Sequence, residues 1–335
     1  MEKTAKVKPE KAVRKNKRAK VIILASLMFI GMTRYSVRSS DLSIDGVTYS
    51  TDGVSYTVEN GRKAQGDLVI REYIDGVPVR SIEEEAFEAN SALTSVYIPD
   101  TVNNIGVKCF RGCSSLQIAN VPWFVDTLEY GVFENCNSLT YVGLTDNLNH
   151  IEMAAFRGCS SLGSIYIPYN VETIGRYSFE KCTSLTSVAI PEQTHISDYA
   201  FLDCSSLNSV NIPSGMGVSC IFEGTFMNCT SLTSITIPDN IDCIDEKAFM
   251  GCTSLSSVDM SERMNWIGGE SFANCTSLTS LYLPSSLEYL SDYAFEGCDS
   301  LTLSGPGATI NSAIPGGSSA LNEIMDAVSK LESLQ

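Results

Sequence analysis

The chain has 335 residues, of which 44% are hydrophobic, enough for one large domain or two ordinary ones. Its charge is divided unevenly: residues 1–40 hold 11 Lys and Arg against 2 acidic residues, whereas the remainder holds 12 against 37. An acidic body repels phosphate backbones and anionic lipids, so the composition argues against direct nucleic-acid binding.

The N-terminal segment has the composition of an export signal. A basic stretch from Lys3 to Lys20 precedes 12 apolar residues, VIILASLMFIGM, at positions 21–32. No clean small-x-small cleavage site follows, and the run is shorter than the ~20 residues that a membrane span needs. Residues 1–40 are therefore predicted to be a basic head with a short export or anchor segment, on a protein at the cell surface or outside the cell. The alternative is a basic tail on a cytoplasmic protein.

The two ends of the acidic body differ from its middle. Residues 41–80 alternate as short strands between Asp-Gly and Asn-Gly turns, which predicts an N-terminal β-hairpin cap. Residues 304–320 are rich in Gly, Ser and Pro, which predicts a flexible linker. Residues 321–335 place apolar side chains on one helical face and predict an amphipathic helix, either docked on the preceding repeat or used in self-association.

An internal repeat determines the predicted fold of the middle of the chain. A Phe recurs at spacings of 23 residues, interrupted by one spacing of 22 and one of 25. A Cys stands three residues after each Phe except the first, where Asn90 replaces it, and a Leu stands six residues after. Such a period indicates stacked repeats. The ten positions are Phe87, Phe110, Phe133, Phe156, Phe179, Phe201, Phe226, Phe249, Phe272 and Phe295.

Each repeat contains one strand signal. In the first repeat Val96 and Ile98 alternate as V-x-I, and Pro99 ends the strand because it offers no N–H to a ladder. The stretch around Phe87 predicts a single helical turn. The fold class is therefore predicted as α/β: a right-handed leucine-rich-repeat solenoid over residues 81–303, with about ten coils that each contain one short strand and one short helical turn.

Residues 66–301 resemble the leucine-rich repeats of the BspA-like family, whose unit is likewise about 23 residues long with a Phe, a following Cys and an Ile-Pro pair. The resemblance recurs ten times, so it is specific for the fold and far less specific for the function. It implies a surface or secreted protein that adheres to host proteins or to neighbouring cells.

The cysteines are predicted to be mostly packing residues. Nine of the twelve share one column of the repeat, where neighbours lie ~4.8 Å apart with parallel side chains and cannot all pair. A buried thiol behaves as a small hydrophobic group. Cys220 and Cys243 both stand six residues before their Phe on successive coils, and they are the one pair for which a disulfide is considered.

Catalysis finds little support in the sequence. The two His of the chain, His150 and His195, share a column but lie two coils apart, and the repeat fixes no nucleophile beside them. The sequence contains no P-loop, dinucleotide fingerprint, EF-hand loop or nucleophile elbow. The chain is therefore predicted not to be an enzyme and to need no metal or cofactor, with membrane contact only through the N-terminal segment.

Binding of a protein ligand is the better supported function. The outward columns of the stacked strands are mostly small and polar, and four tyrosines interrupt them: Tyr97, Tyr141, Tyr166 and Tyr282. Tyrosine supplies rigid contact area with a polar tip, so these four are the predicted ligand-binding residues. The alternative is that they are ordinary surface aromatic residues.

Trp266 and Tyr289 form a second predicted ligand-binding patch, in the same column as the two His. The sequence thus predicts a non-catalytic protein-binding solenoid, an adhesin that binds host or neighbouring-cell proteins through its stacked strands. The alternative is an intracellular or structural scaffold for protein–protein interactions.

Overall fold

The structure of the chain is a computed structural model that describes residues 42–313, apart from residue 216. The predicted export or anchor segment, residues 314–320 of the predicted linker and the predicted C-terminal helix lie outside these residues. Within residues 42–313, no helix is both long and apolar enough to cross a membrane.

The described residues form short strands and one 3-10 helix, η1. The strands are β1 Leu42–Ile44, β2 Val47–Thr51, β3 Tyr56–Asn60, β4 Gly66–Val69, β5 Tyr73–Ile74, β6 Val77–Ile82, β7 Leu93–Tyr97, β8 Asn104–Ile105, β9 Ile118–Asn120, β10 Thr127–Leu128, β11 Tyr141–Gly143, β12 His150–Ile151, β13 Thr173–Ile174, β14 Ser187–Val188, β15 His195–Ile196, β16 Ser209–Val210, β17 Cys220–Ile221, β18 Ser234–Thr236, β19 Cys243–Ile244, β20 Ser257–Asp259, β21 Trp266–Ile267, β22 Ser280–Tyr282, β23 Tyr289–Leu290 and β24 Thr302–Ser304. The 3-10 helix η1 spans Pro306–Ala313.

The N-terminal strands β1, β2 and β3 precede the first complete coil. β1 and β2 form an antiparallel hairpin, whose turn takes left-handed backbone at Asp45 (φ 53°) and Gly46 (φ 80°), as Asp-Gly turns do. β2 pairs antiparallel with β3, and β3 pairs parallel with β6. Pairing from one coil to the next is parallel from there on, beginning with β6 and β8.

A first ladder carries the V-x-I strands, and its outward side is called the strand face below. It begins with β4, β7, β9 and β11 and includes the pairs β14–β16, β18–β20 and β22–β24. Ser95 lies opposite Ile118, and Ile118 lies opposite Tyr141. The strand register expected from the repeat spacing is therefore confirmed, and the strand positions mark about eleven coils.

A second ladder, called the edge ladder, consists mainly of two-residue strands. β10, β12, β13 and β15 form one run, and β17, β19, β21 and β23 form another. The 25-residue repeat separates the two runs, and its extra residues lie between Pro213 and Ile221. The insertion thus interrupts strand pairing without ending the solenoid.

The predicted helical turn is wrong, and with it the α part of the fold class. Around Phe110, successive backbone N–H groups donate alternately to the next coil and within their own turn. Phe110 N–H donates to Val132 O in the next coil, and Arg111 N–H donates to Lys108 O three residues earlier, both at 2.9 Å. Lys108 (φ 53°) and Gly112 (φ 70°) take left-handed backbone, and a right-handed helix cannot contain such residues at every fourth position. The segment is a series of tight turns that adds a third column of coil-to-coil hydrogen bonds.

The core is one continuous stack of aromatic rings and thiols. The ten Phe are buried, and the rings of adjacent coils stack with centroids 4.9–5.6 Å apart. Each Cys of the column donates its S–H to the carbonyl of the Phe one coil earlier, at Sγ–O distances of 3.1–3.4 Å. The predicted column of buried free thiols is confirmed.

Asn90 takes the position of the Cys in the first repeat, and the preceding coil has Ala64 in place of a Phe. The Asn90 amide instead donates to Gly61 O and Ala64 O, both at 2.9 Å. Gly61 is required for a steric reason, since a Cβ at this position would overlap the ring of Phe87. The first repeat is thus adapted to a different neighbour.

An ion-pair ladder follows the position after the Phe. Arg111 pairs with Glu88 at 3.2 Å and with Glu134 at 3.0 Å. Arg157 pairs with Glu134 at 3.7 Å and with Glu180 at 2.7 Å. Opposite charges therefore alternate over five successive coils. The next three coils have Leu202, Met227 and Met250 at this position.

β24 and η1 close the described part of the solenoid. Gly307 N–H donates to Leu283 O at 3.1 Å, and Ala308 packs against the core. The beginning of residues 304–320, where a flexible linker is predicted, is thus structured against the last coils.

Candidate functional site

The four predicted tyrosines of the strand face are between 45% and 64% exposed. Tyr141 and Tyr166 lie on adjacent coils, and Tyr97 lies two coils before Tyr141. At ~4.8 Å per coil, these three fall within about 15 Å along the solenoid, whereas Tyr282 lies about 24 Å beyond Tyr166. The structure therefore brings three of the four together.

Three further exposed aromatic residues, which the sequence reasoning missed, lie on the same run of four coils as Tyr97, Tyr141 and Tyr166. Trp123, Phe124 and Tyr169 are between 46% and 73% exposed and follow the Pro that ends a strand. These residues lie outside the strand columns. The sequence nevertheless contains a signal for them, because aromatic residues stand at a turn position where the neighbouring coils have Asp100 and Asp146. The aromatic face is defined here as Tyr97, Trp123, Phe124, Tyr141, Tyr166 and Tyr169, together with the exposed Ile118.

Amide side chains hold the backbone beneath the aromatic face. Asn120 Nδ2 donates to Ile98 O and Asn120 Oδ1 accepts from Ile98 N–H, both at 2.8 Å. Asn147 Nδ2 donates to Trp123 O at 2.8 Å. The turns are therefore tied to neighbouring coils before any ligand arrives, which lowers the entropy lost on binding.

Carboxylates alternate with the aromatic side chains at one edge of this face. Successive coils place Asp100, Trp123, Asp146 and Tyr169 at the same turn position. Asp100 Oδ1 accepts the backbone N–H of Trp123 at 2.9 Å, and Asp146 is exposed. A surface of this composition suits a ligand that presents apolar side chains together with basic ones.

The second predicted patch lies on the edge ladder. Trp266 and Tyr289 face each other in register, and their partly exposed rings stack with centroids 3.9 Å apart. The two His do not join them: His150 Nδ1 lies 3.0 Å from the hydroxyl of Thr173, and His195 contacts Phe222 edge-on. No group of His, Cys, Asp and Glu suited to a metal ion occurs within residues 42–313.

Cys220 and Cys243 face each other in the edge ladder, with Cα atoms 4.5 Å apart, and form a disulfide. The other ten Cys are free and buried. Burial raises the pKa of thiols such as Cys159 and Cys229 well above the usual range. Protonated, enclosed thiols are inert, so the Cys column supplies no nucleophile.

A protein-family model described as BspA type leucine rich repeat region (6 copies) matches residues 80–204 and 173–302 of the chain. Together these two ranges span about two thirds of its 335 residues. No curated protein matches the chain.

Several solved structures are similar to the chain. A leucine rich cell surface protein from Faecalibacterium prausnitzii is 23% identical, with 80% of this chain and 88% of that one covered and a TM-score of 0.47. A leucine-rich repeat protein from Bacteroides ovatus is 27% identical, with 79% and 88% covered and a TM-score of 0.45. The pneumococcal vaccine antigen PcpA is 14% identical, with 86% and 96% covered and a TM-score of 0.41.

Proposed function

The chain belongs to the BspA-type leucine-rich-repeat family, and we propose that it is a non-catalytic solenoid that binds a protein ligand through its strand face. The protein is displayed on the cell surface or secreted, where it acts as an adhesin for host proteins or for proteins of neighbouring cells. Residues 21–32 direct its export or tether it to the membrane.

One observation carries this proposal, namely the grouping of exposed aromatic side chains on four adjacent coils. On these coils, Tyr97, Tyr141 and Tyr166 of the strand face and Trp123, Phe124 and Tyr169 of the turns that follow the strands are all exposed. Contiguous exposed apolar surface marks interaction sites on soluble proteins. Tyr and Trp are also the residue types that contribute most to binding energy at protein interfaces.

The disulfide supports a location outside the cytoplasm. Disulfides persist in oxidising compartments and are rare where glutathione and thioredoxin keep thiols reduced. Cys220 and Cys243 are only partly buried, so a cellular reductant has access to this bond. A bond of this kind favours an exported protein over the intracellular scaffold.

A binding assay with surface variants tests the proposal. The chain is applied to plates coated with an extracellular-matrix protein extract, and a Tyr141→Ser, Tyr166→Ser, Tyr169→Ser variant is compared with the unaltered chain. Because truncation of one anchor residue at an interface typically costs ~2 kcal/mol or more, we expect binding to fall at least about ten-fold.

Two matched controls separate this surface from the rest of the chain. Tyr282→Ser changes the column of Tyr166 five coils away, and Trp266→Ser with Tyr289→Ser removes the second patch. Both are expected to weaken binding less than the triple variant does. Unchanged affinity of a triple variant whose circular dichroism is native would contradict the proposal, as would failure of the unaltered chain to bind either matrix extract or neighbouring cells.

A further inference from the structure

The ladder of the strand face has a free edge at its N-terminal end. β4 pairs with β7 on one side, and no strand within residues 42–313 pairs with its other side. The sheet that contains β6 and β8, in contrast, continues beyond β6 through β3, β2 and β1. The position of one more strand beside β4 is therefore open.

The backbone of β4 directs hydrogen-bonding groups toward this open position. The N–H groups of Gly66 and Ile70 donate to carbonyls of the next coil, at 2.9 and 3.0 Å. Consecutive residues of a strand direct their backbone groups to opposite sides, so those of Asp67 and Val69 point away from β7. Such an edge is a template for an added strand.

A cleft of about 920 Å³ runs along this edge. Asp45 in the β1–β2 turn and Tyr97 and Pro99 of the next coil also line the cleft. Val69 and Tyr97 lie opposite each other in register, and both are more than half exposed. The cleft thus offers apolar surface beside backbone groups along a strand of four residues, a length of ~13 Å.

The cleft is acidic. Its charged lining residues are Asp45, Asp67, Glu72, Asp100, Lys63 and Arg71. Arg71 pairs with Asp45 at 3.0 Å, which leaves three carboxylates against one ammonium group. Charge complementarity therefore favours a basic occupant.

We propose that the β4 edge binds an extended, basic peptide segment of a protein partner by strand addition. Backbone groups of Asp67 and Val69 pair with the segment, and the Lys or Arg side chains at every second position face the carboxylates, with their methylene chains against Val69 and Tyr97. This site goes beyond the function proposed above, because it recognises backbone groups and shares only Tyr97 with the aromatic face.

Fluorescence anisotropy with a labelled synthetic peptide of alternating Lys and Val tests this site on the full-length chain. Two versions of the peptide carry backbone N-methyl groups, either on every Val or on every Lys. Since alternate residues of a strand donate to one neighbour, only one version should lose binding, by at least about ten-fold. A peptide of alternating Glu and Val should bind at least about ten-fold more weakly than the Lys peptide.

A matched pair of variants tests the edge itself. Val69→Pro removes the outward N–H, which a proline on an edge strand tolerates, whereas Val69→Thr retains it. We expect the Pro variant to bind the Lys peptide at least about ten-fold more weakly and the Thr variant to bind it normally. The Tyr141→Ser, Tyr166→Ser, Tyr169→Ser variant should also bind the peptide normally, so failure here is distinguishable from failure of the aromatic face.

Hydrogen exchange on the unaltered chain gives a readout that does not depend on how the Pro variant folds. Peptide addition should slow exchange of the Asp67 and Val69 amides. Equal peptide binding by the Pro variant, or no binding by the unaltered chain, would overturn the proposal. Protection of these amides before peptide is added would overturn it too, because a second copy or another part of the chain would then occupy the edge.

Discussion

The Cys column combines packing with hydrogen bonding in a single small side chain. Each thiol is enclosed and donates to the carbonyl of the Phe one coil earlier, as Cys159 does to Phe133 at 3.2 Å. Burial raises the pKa of Cys252 to about 12, and it raises the pKa of Cys204 and of Cys229 well above the usual range. The folded chain therefore accommodates the thiol and not the thiolate.

This difference between folded and unfolded thiols predicts a loss of stability in alkali. Thiols of the unfolded chain begin to ionise near pH ~8.5, whereas those of the folded chain remain protonated. Their contribution to the free energy of unfolding is complete below that pH and is lost as the pH rises toward the raised pKa values. Urea unfolding between about pH 7 and pH 10 should show this decline.

A double variant provides the control for this decline. Cys159→Ala with Cys182→Ala removes two of the buried thiols, so its stability should fall less steeply with pH, although it starts lower. A free energy of unfolding that stays constant up to about pH 10 in the unaltered chain would contradict the assignment.

Among the elements of the coil, the strand is predictable from sequence and the turn is not. V-x-I followed by Pro is a local signal, so the spacing alone predicts the strand face and its register. The turn depends on left-handed backbone two residues before nine of the ten Phe, where the sequence has residues as different as Glu85, Lys108 and Tyr177. No shared residue type marks that conformation, because bonds to the next coil impose it.

The same limit applies to the candidate site. Tyr97, Tyr141 and Tyr166 interrupt two columns of mostly small polar residues, so the repeat pattern alone distinguishes them. Trp123 and Tyr169 lie in turns, whose position on the surface depends on the path of the coil. Their grouping with the tyrosines emerges only when neighbouring coils are stacked.

The ion-pair ladder gives a prediction for an element that spans several coils. Arg157→Ala leaves Glu134 and Glu180 buried with fewer partners, because Arg157 pairs with both. We expect the variant to lose about 2 kcal/mol of stability, less than for a fully buried pair because Arg157 is partly exposed. Denaturant titration monitored by circular dichroism measures the loss.

The later coils supply the control for this prediction. They have Leu202, Met227 and Met250 at the ladder position, so apolar side chains fit there. Arg157→Met combined with Glu134→Leu and Glu180→Leu should therefore lose less stability than Arg157→Ala alone. A larger loss of stability in this Leu/Met/Leu variant would show that the ion pairs stabilise the solenoid more than apolar side chains at the same positions do.

For the whole molecule, the oxidation state of the cysteines connects structure to location. The chain has 12 Cys, of which ten are free and two form the Cys220–Cys243 disulfide. Thiol titration of the purified protein in denaturant should therefore count ten thiols before reduction and twelve after it. Twelve thiols without any reductant would remove the disulfide and the support that it gives to export.

Display outside the cell is the condition on which the proposed adhesin function depends, since an adhesin must meet its ligand there. The most direct test probes intact cells of the native host with an antibody against the solenoid and with an external protease, and then fractionates the cells. We expect the antibody to label intact cells, or to detect the chain in the medium, and the protease to remove the cell-bound solenoid. A solenoid that is protected from protease in intact cells and recovered in the soluble cytoplasmic fraction would contradict display outside the cell.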